Sequence, residues 1–387
     1  MKLKISVFFC LTFIIGTDTF LVSPLLPTLR YIYGISVEQS GWIISAYALG
    51  YAVFALIVGP LSDQWNRKTV MIAGTISFAF FTFLCGFAST FWLMILFRML
   101  AGMSAAITSP QVWAAIPQLV PRDKVLKGMG IATAGLAAAQ MLGVPIGSYL
   151  ALFGWRIPFF SISAGSCLLV CLIIALLPSL PPAREEGERR SLLKNYLLLL
   201  RNPGSKQSFF AYFIFQMGNF AAFSFIGIWL SDQFQLNVAG IGTVILVLGF
   251  GNMLSSFFSS GFVHSIGVYS SFIFGMGLVI LIYGGLPYLP SLFYVTAAYF
   301  FLFLILGMIF PIMMNTLQNL SSTVRGTISS LANASMYLRT TIGSSLGGWL
   351  YANAGGFKTL SIFTVVCFLL SFLLFMRSGL FPSMRRE

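Results

Sequence analysis

The sequence predicts an all-α integral membrane protein with twelve transmembrane helices arranged as two six-helix halves. Three observations lead there. Of 387 residues, 58% are hydrophobic and only 8% charged, against about 25% charged in a soluble domain, which excludes a water-soluble enzyme or binding module. Apolar runs of about 20 residues, the length a helix needs to cross the hydrocarbon core, recur from end to end; short alternating segments, the mark of an outer-membrane barrel, do not. One long polar stretch, residues 178–206, divides these runs six and six.

In chain order the predicted spans cover residues 3–26, 41–61, 69–88, 91–115, 128–152 and 157–177, then 207–230, 239–263, 269–286, 292–315, 326–351 and 360–376, each bounded by charges, Pro or Gly clusters. The first has the basic start of a secretory signal. Its apolar run continues through Asp18 without a small-x-small cleavage site, so it reads as a retained helix. Residues 1–178 form the first bundle, 179–206 a cytoplasmic linker whose part 191–200 has the pattern of a basic surface helix or a plain tether, and 207–387 the second bundle. The seven Trp (Trp42, Trp65, Trp92, Trp113, Trp155, Trp229 and Trp349) fall at or near span ends, where indoles favour the interface.

The formal charge of +13 reads as topology, with no nucleic-acid partner implied. With both termini in the cytoplasm, only Arg30, Arg156 and Lys358 among the Lys and Arg outside the spans face out, as expected for a multi-pass protein of the cell membrane. The five Cys lie inside apolar runs and suggest no disulfide framework. The single His264 is expected in a short cytoplasmic loop. No metal-ligand cluster, cofactor motif or phosphate-binding Gly-rich loop occurs, so the chain reads as a non-enzyme whose energy comes from a gradient or from a separate subunit.

Ionisable residues inside hydrocarbon are costly and mark function. There are three: Asp18, Arg98 and Arg339. Asp18 in span one and Arg98 in span four both lie roughly 10–12 Å below the outer surface, at 1.5 Å per residue, so they meet if their spans are neighbours. A carboxylate that keeps its charge beside an arginine and takes a proton when parted from it is a workable switch; a fixed pair stapling two helices is the plainer alternative. Arg339, in span eleven, has no acidic residue in the spans of its half and points to an acidic substrate group, a wet cavity or neighbouring carbonyls. Gln111, Gln140, Gln216, Asn219 and Asn333 are candidate cavity-lining residues, with Gln216 and Asn219 on one helical face, or else helix-to-helix hydrogen bonds.

Several stretches resemble the major facilitator superfamily. Gly59-Pro-Leu-Ser-Asp63-Gln-Trp-Asn-Arg67-Lys68 resembles its G-x-x-x-D-x-x-G-R-[KR] loop, in which Gly59, Asp63, Arg67 and Lys68 would form a conformational latch. Asn66 replaces the usual Gly and is expected to keep the turn by tolerating positive φ, and Gln64 replaces a common basic residue. Arg98-Met-Leu-Ala-Gly102 resembles the R-x-x-x-G motif of span four, whose arginine is associated with proton coupling. Gly135 with Gly143-Val-Pro145-Ile-Gly147-Ser148 resembles the antiporter motif of span five, with Val144 and Ser148 in place of Gly. Asp18 is similar to the family's embedded acid, and Gly154-Trp155-Arg156 to its outer loop.

The resemblance implies two pseudo-symmetric bundles of inverted repeats around a cavity that opens alternately to each side. Within the family the chain is most similar to the drug:proton antiporters. That implies a monomeric, proton-coupled exporter of drugs or small hydrophobic metabolites, with Asp18 and Arg98 handling the proton. The alternatives are a carrier of an anionic metabolite that uses Arg339, and a proton-coupled uptake symporter.

Overall fold

In a computed structural model of the protein, residues 2–62, 65–121, 124–181, 203–318, 320 and 325–378 are described. Among them no strand occurs and helices follow one another without long loops. The chain forms two compact units, Met1–Glu188 with Ile226–Leu246, and Arg189–Phe225 with Val247–Glu387. Asp63 and the proposed surface helix at 191–200 lie outside the described residues.

The first unit holds α1 (Lys2–Tyr33), α2 (Val37–Ser62), α3 (Arg67–Cys85) and α4 (Phe91–Leu119), then the fifth span as α5 (Val125–Ala138), a π-helical turn (Ala139–Gly143) and α6 (Val144–Leu150), and then α7 (Ile157–Leu176). It also takes in α9 (Ile226–Phe234) and the start of α10 (Val238–Ile266). The second unit holds α8 (Pro203–Ser224), the rest of α10, α11 (Val268–Gly285), α12 (Leu292–Gln318), α13 (Arg325–Asn353) and α14 (Phe357–Arg377). Among the described residues, ten helical segments are long and apolar enough to cross a membrane.

Every predicted span has its helix, but the helices overrun the apolar runs: α1 continues to Tyr33 and α4 to Leu119. Hydropathy marks the hydrocarbon core, whereas i→i−4 hydrogen bonding continues until a turn stops it. The same reason places His264 in the last turn of α10, which runs to Ile266 before Gly267 (φ +83°) ends it, and not in a loop. Trp229, expected at an interface, is buried with its ring edge-on to Phe234.

Backbone-to-backbone proximity organises both units. In the first, a Cβ at Gly50 would strike the Met99 carbonyl and one at Gly102 the Tyr47 carbonyl, so α2 and α4 touch reciprocally. In the second, a Cβ at Gly251 would meet the Phe300 carbonyl and one at Gly307 the Asn252 and Ser255 side chains, which repeats the seam between α10 and α12. Without a hydrophobic driving force between helices in lipid, such close packing holds the bundle. At the far end from Lys4, Tyr33 Oη donates to the Ala88 carbonyl (2.9 Å) and its ring meets Trp155 edge-on, while the Arg156 guanidinium stacks over Trp155. The Gly154-Trp155-Arg156 turn thereby ties α1 to the α3–α4 and α6–α7 connections.

Candidate transport site

The chemistry of the first unit centres on α1. Asp18 and Arg98 are each 1% exposed, and Arg98 Nη1 donates to Asp18 Oδ2 at 2.7 Å. Nη2 reaches the Asp18 carbonyl at 3.4 Å. The pair is single-toothed: Asp18 Oδ1 and Arg98 Nε have no hydrogen-bond partner. One carboxylate oxygen is thus occupied by the arginine, and the other is buried without a hydrogen-bond partner.

Tyr47, which the sequence did not single out, completes the site. Its ring lies 4.4 Å from the Arg98 guanidinium carbon, and Thr19 Oγ1 donates to its hydroxyl at 3.4 Å. The R-x-x-x-G motif explains how it gets there. Gly102, one turn beyond Arg98, has no side chain to hold off the Tyr47 carbonyl, so α2 settles against α4 with Tyr47 next to the charge. We expect Gly102→Leu to destabilise the protein by about 1–3 kcal/mol, as overpacking does, and to move Tyr47 from Arg98. A lowered unfolding temperature in detergent is the check; an unchanged one contradicts this packing.

The span-five motif packs against the same stretch of α1. A Cβ at Gly135 would strike Thr12 Oγ1 and the Phe9 carbonyl, one at Gly143 the Thr17 side chain, and one at Gly147 the Leu21 side chain. Thr17 and Leu21 flank Asp18 in sequence and Thr12 Oγ1 donates to the Ala132 carbonyl at 2.7 Å. Pro145 lacks an N–H and cannot continue an α-helical ladder. The preceding turn widens instead, with the Val144 N–H bonding the Ala139 carbonyl five residues back. Gln140 lies in this π turn, half-buried, and π turns within helices recur at functional sites.

At the end carrying Lys4 and Lys124, the loop motif makes a different structure from the one expected. Asn66 has φ −62° and ψ 118°, an ordinary extended conformation, so tolerance of positive φ is not why it replaces Gly. It is the N-cap of α3: its Oδ1 accepts from the Lys68 N–H (3.0 Å) and the Leu180 N–H (3.3 Å), and its Nδ2 donates to Ser179 Oγ (2.6 Å). A side chain that spans two chain segments is worth more here than a glycine's freedom. Arg67 is buried and donates through Nη1 to Gln111 Oε1 at 3.2 Å. Lys68 Nζ donates to the Ile174 and Leu177 carbonyls at the end of α7, where a cation satisfies terminal carbonyls. Asn66→Ala should cost about 1 kcal/mol, typical of a lost cap, read as a shift in thermal unfolding; equal stability would contradict the cap.

Gln111 is therefore joined to Arg67 and stands away from the Asp18 pair. Gly59 lies within α2 and Asn333 within α13, but their side chains lie outside the described residues. In the second unit, Asn219 Oδ1 accepts from Tyr283 Oη at 3.3 Å, while Gln216 is buried on the same helix. Arg339 is 1% exposed, with its guanidinium carbon 5.4 Å from the Tyr212 ring centre and 5.1 Å from that of Phe220. Neither aromatic residue carried a signal in the sequence, because a ring inside an apolar run looks like any other.

Ten helical segments of membrane-spanning length among the described residues, with buried charges on α1, α4 and α13, define a polytopic membrane protein. The family model described as Major Facilitator Superfamily matches residues 8–339. This chain belongs to that superfamily, whose members are transporters rather than enzymes. It is 49% identical over 372 residues to an uncharacterized MFS-type transporter of Bacillus subtilis (strain 168), YceJ, covering 96% of this chain and 95% of that one. A second relative from the same organism, the uncharacterized MFS-type transporter YwfA, is 26% identical, covering 94% and 88%. Among solved structures, the D-xylose-proton symporter aligns with a TM-score of 0.80 at 14% identity over 95% of this chain and 96% of that one. A bacterial homologue of the human lysosomal transporter Spinster, inward-facing and occupied, aligns at 0.77 and 15% identity over 98% and 96%. These two likenesses establish the fold.

Proposed function

We propose that this chain is a proton-coupled antiporter that exports small hydrophobic compounds across the cell membrane by alternating access. The observation that carries the reading is the buried Asp18–Arg98 pair with one unshared carboxylate oxygen. While Arg98 holds Oδ2, the carboxylate keeps its charge; when the arginine moves off, an apolar surrounding favours the protonated form. The motion has a handle. Gly135, Gly143 and Gly147 bring the fifth span against α1 on either side of the Asp18 turn, so a shift of that span moves the acid relative to Arg98.

Tyr47 tethers Arg98 while the pair is closed, and a cation over a ring face keeps part of that attraction when the carboxylate is neutral. Gly59, Asp63, Arg67 and Lys68 act as the latch between conformations. Gln140, Gln216, Asn219, Asn333 and Arg339 are the polar groups assigned to substrate, Gln111 being joined to Arg67, and the chain works as a monomer, with both termini in the cytoplasm as the placement of its Lys and Arg favours. One proton crossing 100 mV releases about 2.3 kcal/mol, which sustains a substrate ratio of roughly fiftyfold.

The test is direct. Purified protein in liposomes containing a pH-reporting dye, under an imposed proton gradient, is given a panel of lipophilic cations, neutral compounds and organic anions. Antiport predicts proton movement opposite to the substrate that elicits it. Movement in the same direction makes the chain a symporter, and no substrate-linked movement removes proton coupling.

A further inference from the structure

The second unit carries a buried charge that the proton mechanism does not use. No Asp or Glu occurs in the sequence between Asp232 and Glu387, so Arg339 has no carboxylate in its own spans, unlike Arg98, which has Asp18. Within the unit, Arg339 Nε donates to the Met336 carbonyl of its own helix (3.1 Å). Nη1 is buried without an acceptor.

A second orphaned donor faces the same place. Tyr212, Gln216 and Phe220 are spaced by about one turn each and share one face of α8, with about 12 Å of backbone rise from the first to the last at 1.5 Å per residue, and their two rings lean toward one guanidinium. One guanidinium carbon lies 5.4 Å from the first ring and 5.1 Å from the second, which sets it between them at the level of Gln216. Gln216 is 3% exposed, and its Nε2 also has no acceptor. The helices are close enough for this because a Cβ at Gly343 of α13 would stand 2.8 Å from the Met217 carbonyl.

A buried donor without an acceptor is costly, and a buried charge without a partner more so. Gln216 Nε2 and Arg339 Nη1, both buried and on side chains that meet the same face of α8, lack the same thing, an acceptor oxygen, and for the guanidinium a negatively charged one. We propose that Arg339 and Gln216 form an anion subsite that takes the carboxylate of a flat, apolar substrate, with Tyr212 and Phe220 holding the guanidinium in place. The assignment rests on the reading of the chain as an exporter of small apolar compounds and narrows their class to organic acids. A cationic substrate would meet Arg339 as a like charge.

Binding measured without any gradient keeps this test separate from proton coupling. The full-length protein in nanodiscs is titrated calorimetrically with 2-naphthoate, 2-naphthamide and 2-naphthylmethylammonium, which share one ring system and differ in charge. Wild type is expected to bind the carboxylate roughly tenfold or more tighter than the amide, as charge-assisted hydrogen bonding implies. Arg339→Gln should erase that preference while leaving the amide within about twofold, Arg339→Lys should keep part of it, and Gln216→Leu should weaken the carboxylate alone by roughly threefold to tenfold. Gln216→Leu carries the test if Arg339→Gln fails to fold. Equal or weaker binding of the carboxylate than of the amide or the cation in wild type overturns the proposal, as does an unchanged preference in both Arg339→Gln and Gln216→Leu. In either case a proton-linked signal from the liposome experiment would leave the antiporter reading standing.

Discussion

Asp18→Asn is expected to leave the protein folded and to abolish gradient-driven accumulation of substrate, while exchange of labelled for unlabelled substrate continues. Asparagine is nearly isosteric with aspartate and still offers an oxygen to Arg98 Nη1, so the 2.7 Å contact keeps a partner. It loses the one carboxylate that is buried among the described residues, and with it the means to bind and release a proton there. Counterflow in proteoliposomes separates the two activities, because exchange needs the conformational cycle and accumulation needs coupling as well. If Asp18→Asn accumulates substrate against a gradient as wild type does, Asp18 is a structural staple.

The second large effect is on stability. Arg98→Met leaves the Asp18 carboxylate buried without its cation and should destabilise the protein by about 3–5 kcal/mol, the usual cost of breaking a buried pair from one side. Combining it with Asp18→Asn should restore most of that loss, since a neutral amide in place of the carboxylate has far less to lose on burial. A double-mutant cycle of detergent unfolding temperatures measures this coupling. Additive losses would mean that the two side chains stabilise the fold independently, against the 2.7 Å geometry.

Much of this was legible in the sequence, for identifiable reasons. The spans are readable because a helix in lipid must be apolar for about 20 residues. Asp18 and Arg98 are conspicuous because charge in hydrocarbon is rare, and their matching depths paired them on the condition that spans one and four are neighbours, which the 2.7 Å contact meets. The glycines of span five stood out by their resemblance to the family's antiporter motif, but which surface they served was not readable: Thr12, Thr17 and Leu21 become their partners only through the packing of α1. Tyr47, Tyr212 and Phe220 were invisible for a related reason. An aromatic ring in an apolar run gains meaning only from the cation beside it.

Local turn chemistry was the weakest point. Asn66 was read through its conformational tolerance, whereas its amide joins the α3 N-terminus to Ser179 and Leu180, residues more than a hundred positions away that no local pattern connects to it. Gln111 is a similar case. As a polar residue in a span it suggested a cavity or a helix-to-helix hydrogen bond, and it accepts one from Arg67 of α3, near the opposite end of the bundle from Arg156.

The central claim, that Asp18 takes up and releases a proton while buried, is tested most directly by infrared difference spectroscopy of the protein in lipid between alkaline and acid pH. The account predicts a carbonyl-stretch band of a protonated, apolar-environment carboxylic acid in wild type that is missing from Asp18→Asn. Identical difference spectra for the two proteins would mean that Asp18 does not change its protonation between the two pH values, and would contradict it.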